Sequence, residues 1–217
     1  MKRTILVLVV LLLSLFSSIA CAAEETSPFY LGILGGYVKP SDMTVHDKTG
    51  GLDFDAALKN GGVFGLKAGY MPSFAKGYLA TELEYNYIFN TDLDTGKTYA
   101  TLSGASLDGT NKIHAIFLNF KLRYPEGVLH PYVGIGPGYS WFQAGDLTPS
   151  TGTTITGETS SQFCWQLLLG FDYDITKNWG VGLGYKYFQV KPSFGGQINA
   201  DYDYNAHMIT FGVNYAF

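Results

Sequence analysis

The stretch FCWQLLLGFDYDITKNWGVGLGYKY, Phe163 to Tyr187, sets the architecture of the whole chain. Every second residue of its first half is apolar: Phe163, Trp165, Leu167, Leu169, Phe171, Tyr173 and Ile175. The positions between them include Gln166, Gly170 and Asp172. A short Thr-Lys-Asn break follows, and the alternation restarts at Trp179, Val181, Leu183, Tyr185 and Tyr187. Successive side chains of a strand point to opposite sides, so this is a pair of antiparallel strands sharing one apolar face across a tight turn.

The same period continues on both sides. It predicts strands at 28–39, 61–72, 77–90, 112–124, 130–142, 162–175, 178–190 and 205–217, making one all-β domain over residues 24–217. The apolar face of the third strand is Leu79, Thr81, Leu83, Tyr85, Tyr87 and Phe89, and that of the last is Ile209, Phe211, Val213, Tyr215 and Phe217. None of these positions is charged. The opposite faces carry Lys67, Glu82, Glu84, Lys121, Arg123, Asp172 and Lys186 among Gly, Asn and Gln. A soluble barrel or sandwich would turn the apolar face inward; a transmembrane barrel turns it to lipid. Three features favour the membrane. Aromatics gather near the ends of the apolar faces, at Tyr70, Tyr124, Tyr139, Trp141, Trp165, Tyr173, Trp179 and Tyr187, as interfacial girdles do. The polar faces are Gly-rich and lightly charged for a wetted surface, with 27 Gly and only 15% charged residues in the chain. Long connections (40–60, 91–111, 143–161, 191–204) also alternate with short ones (73–76, 125–129, 176–177), the pattern of extracellular loops and periplasmic turns.

Residues 1–23 read as a secretory signal. Lys2 and Arg3 precede the apolar run Ile5–Phe16, and small residues follow, with cleavage expected after Ala22 or Ala23. Cys21 offers lipidation as an alternative, since SIAC loosely matches a lipoprotein processing site. Removal of the leader with Cys21 leaves Cys164 alone, without an intramolecular disulfide. A net charge of −4 with no basic cluster excludes a nucleic-acid partner.

The eight strands, the leader and a last strand ending in Phe217 resemble the small eight-stranded outer-membrane β-barrel proteins. That porin-like group includes the membrane domain of outer membrane protein A and outer membrane proteins X and W. HPYVGIGPGYSWF (130–142) and FDYDITKNWGVGLGYKY (171–187) are similar to its fifth-to-seventh strand region, though such motifs are generic to the architecture. The resemblance implies residence in the cell outer membrane, among lipid and lipopolysaccharide. It also implies that Ile209, Phe211, Val213, Tyr215 and Phe217 form the signal read by the barrel-assembly machinery.

An eight-stranded barrel has an interior that side chains just fill, which excludes a wide pore. The inward charges then need partners, because an isolated buried charge is very costly. Folding neighbouring strands together places Lys67 near Glu82 and brings Lys121 and Arg123 towards Glu82 and Glu84, a lumen charge network that acts as a plug or a gate. Inward Gly134, Gly136, Gly138, Gly180, Gly182 and Gly184 either receive aromatic rings from across the lumen or line a small ligand cavity. Pro137 points to lipid and cannot donate a ladder bond, so with Gly136 and Gly138 it marks either a bulge or a lateral gap. Lys39, Lys59, Lys112 and Lys191 fall at loop-side strand ends, where lipopolysaccharide phosphates lie. The alternate aspartates Asp53 and Asp55, Asp92 and Asp94, and Asp201 and Asp203 read as solvated loops, because no full calcium-ligand set accompanies them. No catalytic motif joins Ser103 or Ser106 to His114, and no cofactor or metal motif is present. The expectation is therefore a non-enzymatic outer-membrane barrel with a structural or surface-interaction role. A narrow conduit or binding site for small apolar molecules with lateral access is the alternative, and a lipid-modifying enzyme the third.

Overall fold

The computed structural model describes residues 28–41, 43–48, 54–91, 111–145, 157–195 and 200–217. The expected leader and Asp53, Asp92, Asp94, Ser103 and Ser106 lie outside them. Eight long strands form the barrel wall: β1 (Phe29–Pro40), β4 (Gly61–Tyr70), β5 (Leu79–Phe89), β6 (Lys112–Arg123), β7 (Leu129–Gln143), β8 (Thr159–Asp174), β9 (Trp179–Val190) and β10 (Ala200–Ala216). Each pairs antiparallel with its sequence neighbour in the wall. The sheet closes where β1 meets β10, from Tyr30 opposite Ala216 to Pro40 opposite Ala206. Closure leaves no free edge, which a bilayer requires because nothing in its hydrocarbon satisfies open backbone groups.

Two further strands lie in the connection expected to be a long loop. β2 (Met43–Asp47) and β3 (Phe54–Ala56) form a hairpin, and β2 pairs with the first residues of β10, Ala200–Asp203. Since β1 stops opposite Ala206, this hairpin carries the sheet beyond the barrel rim on the loop side. Lys48 fastens it, with its Nζ 2.8 Å from Asp201 and 2.7 Å from the Ser193 hydroxyl. At the opposite end, a single 3-10 turn (Ser73–Ala75) joins β4 to β5 and closes through Lys76 and Gly77 at φ 47° and 81°, backbone that glycine adopts without strain.

The apolar face points outward. Leu122 and Phe163 are 63% and 64% exposed, and Ile33, Leu83, Val133, Ile135, Leu169, Ile209 and Phe211 are likewise exposed. Glu82 and Glu84, by contrast, are each 1% exposed. An exposed apolar belt around a charged interior inverts the order of a soluble protein and matches a barrel wall in lipid.

Candidate functional site

Inward-facing residues divide the lumen into two zones. In the turn-side half, β5 supplies Glu82 and Glu84 on one face of the strand. Lys67 of β4 and Lys121 of β6 reach Glu82 at 3.3 and 3.2 Å, and the Tyr30 hydroxyl donates to it at 2.6 Å. Lys121 also contacts Asp172 at 3.2 Å and sits 3.7 Å from the centre of the Tyr132 ring. Glu84 pairs with Lys186, which comes from β9 on the far side of the barrel, and accepts hydrogen bonds from Asn86, Asn119 and Gln166. The three carboxylates Glu82, Glu84 and Asp172 thus face the three ammonium groups of Lys67, Lys121 and Lys186. Low-dielectric surroundings make such a network costly to break by removing one member.

Arg123 corrects the expected network. It contacts neither glutamate. Its Nη1 donates to the Met71 sulfur at 3.1 Å, and it lines a water-accessible vestibule of about 600 Å³ at the turn-side mouth with Tyr30, Asp172, Asp174, Lys177 and Asn214. The reason is depth. Arg123 is the last residue of β6, one inward position nearer the turn than Lys121, and Lys121 already occupies the space beside Glu82. Neighbour-by-neighbour register could not find Lys186, because it reaches Glu84 across the lumen rather than from an adjacent strand.

The loop-side half of the lumen is apolar. Val38, Val63, Ile88, Ile113, Phe142, Cys164, Phe188, Tyr204 and Met208 are buried together in one cluster. Phe142 and Phe188 pack edge-on against Tyr204 at 5.8 and 6.0 Å, and Phe117 meets Phe188 at 5.8 Å. Most of the expected glycine gaps are filled, by backbone and polar groups as well as rings, whereas Gly180 lines the turn-side vestibule. A Cβ on Gly138 would strike the Phe117 ring, one on Gly136 the Asn119 amide, and one on Gly170 or Gly184 would lie 2.8 Å from the Tyr132 hydroxyl. Between the two zones, the space among Lys67, Glu82, Glu84, Lys121 and Lys186 amounts to about 20 Å³.

Pro137 lies on the outward side of β7, as alternation predicts. Its ladder to β8 is continuous, with Pro137 opposite Trp165. On the β6 side, Phe117 pairs with Gly138 and Phe120 with Ile135, but the two rungs between them are missing. No residue is inserted, so the bulge reading is corrected. The missing N–H removes the donor that the Leu118 carbonyl would use, and two rungs of the ladder lapse without a slip of register. On the lumen side Asn119 covers the break, its Oδ1 accepting from Gln166 at 2.8 Å.

The four lysines are spread around the loop-side rim on β1, before β4, on β6 and after β9, and all are exposed. Lys191 is ion-paired with Asp203 at 3.0 Å, so it is not a free cation. Of the last-strand positions, Ile209, Phe211, Val213 and Tyr215 face outward, and the Phe217 ring meets Tyr215 at 5.3 Å.

Comparison with known proteins gives one consistent result. The profile of the outer membrane protein beta-barrel domain family matches residues 8–217. OprG, an outer membrane protein from Pseudomonas aeruginosa, is 19% identical, with a TM-score of 0.57 over 89% of this chain and 97% of its own. AlkL, an outer membrane protein solved in lipid bilayers, is 17% identical, with a TM-score of 0.55 over 90% and 93%. Neisserial surface protein A is 18% identical, with a TM-score of 0.54 over 89% and 100%. No curated protein sequence matches the chain.

Proposed function

The chain belongs to the outer membrane protein beta-barrel domain family and resides in the outer membrane, and from that premise we propose that it is a closed barrel presenting its loop-side sheet extension as an interaction surface. The observation carrying this reading is the two-zone lumen. A charge-matched polar layer spans the turn-side half, and a packed apolar layer lies above it, so neither water nor ions have a continuous path. The β2–β3 hairpin stands beyond the rim, where surface partners would meet it. The reading is non-enzymatic, and it is supported by three of the four histidines being held separately: His130 by Asp174 at 2.8 Å, His114 by Tyr85 at 2.7 Å and His207 by Tyr185 at 2.6 Å. Planar-bilayer recordings test it. The expected result is no single-channel steps, and a stable ohmic conductance would overturn it.

The ladder break at Pro137 favours a second reading, a lateral passage for small apolar molecules between the apolar half of the lumen and lipid. Hydrogen exchange on the amides of β6 and β7 separates the two. Fast exchange confined to the neighbours of Pro137 and slowed by Pro137→Val supports a passage, whereas uniform protection supports the closed barrel.

A further inference from the structure

Two clusters on the outer wall repeat the same chemistry. On the β5–β6 seam, the Tyr85 hydroxyl bonds His114 Nδ1 at 2.7 Å and the Tyr87 ring stacks on the imidazole at 4.9 Å. Lys112 lies two residues before His114, on the same outward face of β6. On the β9–β10 seam, the Tyr185 hydroxyl bonds His207 Nδ1 at 2.6 Å and the Tyr187 ring lies 5.4 Å from it. Lys39 of β1 stands directly opposite His207. Four wall strands separate the two seams in either direction, so the clusters occupy opposite sides of the barrel. Both lie at the loop-side end, level with the paired rings Tyr139–Trp141 (5.5 Å) and Trp165–Tyr187 (5.7 Å), where headgroups begin.

The hydrogen bonds set the chemistry. Each tyrosine hydroxyl has an imidazole Nδ1 in reach and no other acceptor among the described residues, which favours the tautomer in which the hydroxyl donates and Nδ1 accepts. The neutral ring then carries its proton on Nε2, which makes no hydrogen bond to a described residue. Each cluster therefore offers a fixed N–H donor beside a lysine ammonium. The residues facing His114 on β5 and β7 are Tyr87 and Trp141; those facing His207 on β9 and β1 are Tyr187 and Lys39. No carboxylate of the described residues stands in either cluster to neutralise it.

We propose that these two clusters bind the phosphate groups of outer-leaflet lipid headgroups, with His114 and Lys112 serving one site and His207 and Lys39 the other. A phosphate oxygen accepts from Nε2–H while the ammonium supplies charge, and the flanking tyrosines hold the ring at headgroup depth. The proposal does not depend on whether the lumen conducts.

The test uses the folded protein, ¹⁵N-labelled at histidine, in maltoside micelles that contain no phosphate. Phosphorylated lipid A should shift the Nε2 signals of both histidines. Lipid A stripped of phosphate should not, and inorganic phosphate should need at least a tenfold higher concentration. Lys39→Gln with Lys112→Gln, and separately His114→Gln with His207→Gln, should each weaken lipid A binding at least tenfold while the unheated protein keeps its folded gel mobility. Equal shifts with stripped lipid, equal affinity for free phosphate, or unchanged lipid A binding in both variants would overturn the proposal.

Discussion

The two halves of the lumen are built on one strand period yet differ in kind. Inward positions nearest the turns carry the ion-paired Glu82, Lys121 and Asp172, the last two lining a water-accessible vestibule, whereas inward positions nearest the loops carry Val38, Ile88, Phe142 and Phe188 packed against one another. The turn-side half is held by paired charges and the loop-side half by the hydrophobic effect and close packing. A barrel interior is therefore not a polar channel by default. Here its outer half is an apolar core enclosed by a wall that is also apolar on its lipid side.

The comparison is most sharply broken from the charged side. Glu82→Lys should cost at least about 3–5 kcal/mol, because it sets a third cation against Lys67 and Lys121 and strands the Tyr30 hydroxyl. Lys67→Glu should restore only part of that loss, since Lys121 still faces the new lysine. Reversible urea unfolding in lipid vesicles, followed by gel mobility, reads both values. A double variant no more stable than the single one would show that Lys67 and Glu82 are not coupled. In the apolar half, Phe188→Ala should cost about 3 kcal/mol by leaving a cavity beside Phe117 and Tyr204. It should open no conductance, because the polar layer below remains intact; ion steps in this variant would contradict the division into two independent seals.

Much of this was legible in the residues. The alternation at Phe163–Tyr187 and its repeats gave eight strands and their outward faces, and Glu82, Glu84, Lys67 and Lys121 stood out as inward charges. Two features were hidden for physical reasons. In the loop-side half the inward positions turn apolar, as at Ile113, Ala115, Phe117, Phe188 and Val190, while His114 and Gln189 lie on the outward face, so the polar-inside contrast that marks the interior nearer the turns disappears. The β2–β3 hairpin is short and sits among glycines and charges, where a strand has little apolar pattern of its own and takes its order from pairing with β10. Arg123 shows a further limit, since alternation gives the side a residue faces but not the depth at which its long side chain finds a partner.

Smaller effects sharpen the picture at the wall and the rim. Pro137→Val restores a donor opposite the Leu118 carbonyl and should stabilise the barrel by about 1 kcal/mol. A loss of stability would mean that the break is held open by other contacts. At the rim, the hydrogen bond from Lys48 keeps the Asp201 carboxyl below its usual range. A depressed carboxylate stabilises above its unfolded value, near pH 4, and loses that contribution as pH falls through the folded value. The β2–β3 hairpin should accordingly become more open to protease as pH drops below about 4, and Asp201→Asn should be open at neutral pH and insensitive to this change.

The dry outer half can be probed through a group already inside it. Cys164 is fully buried among Phe142, Phe188 and Met208 in the loop-side half of the lumen. With Cys21 replaced by alanine, the folded barrel is exposed to a small charged methanethiosulfonate reagent, beside a second protein carrying Cys164→Ser and Asn214→Cys in the vestibule. The two-zone lumen predicts rapid labelling at position 214 and none at Cys164 until the barrel is unfolded. Labelling of Cys164 in the folded protein at a rate comparable to position 214 would contradict it.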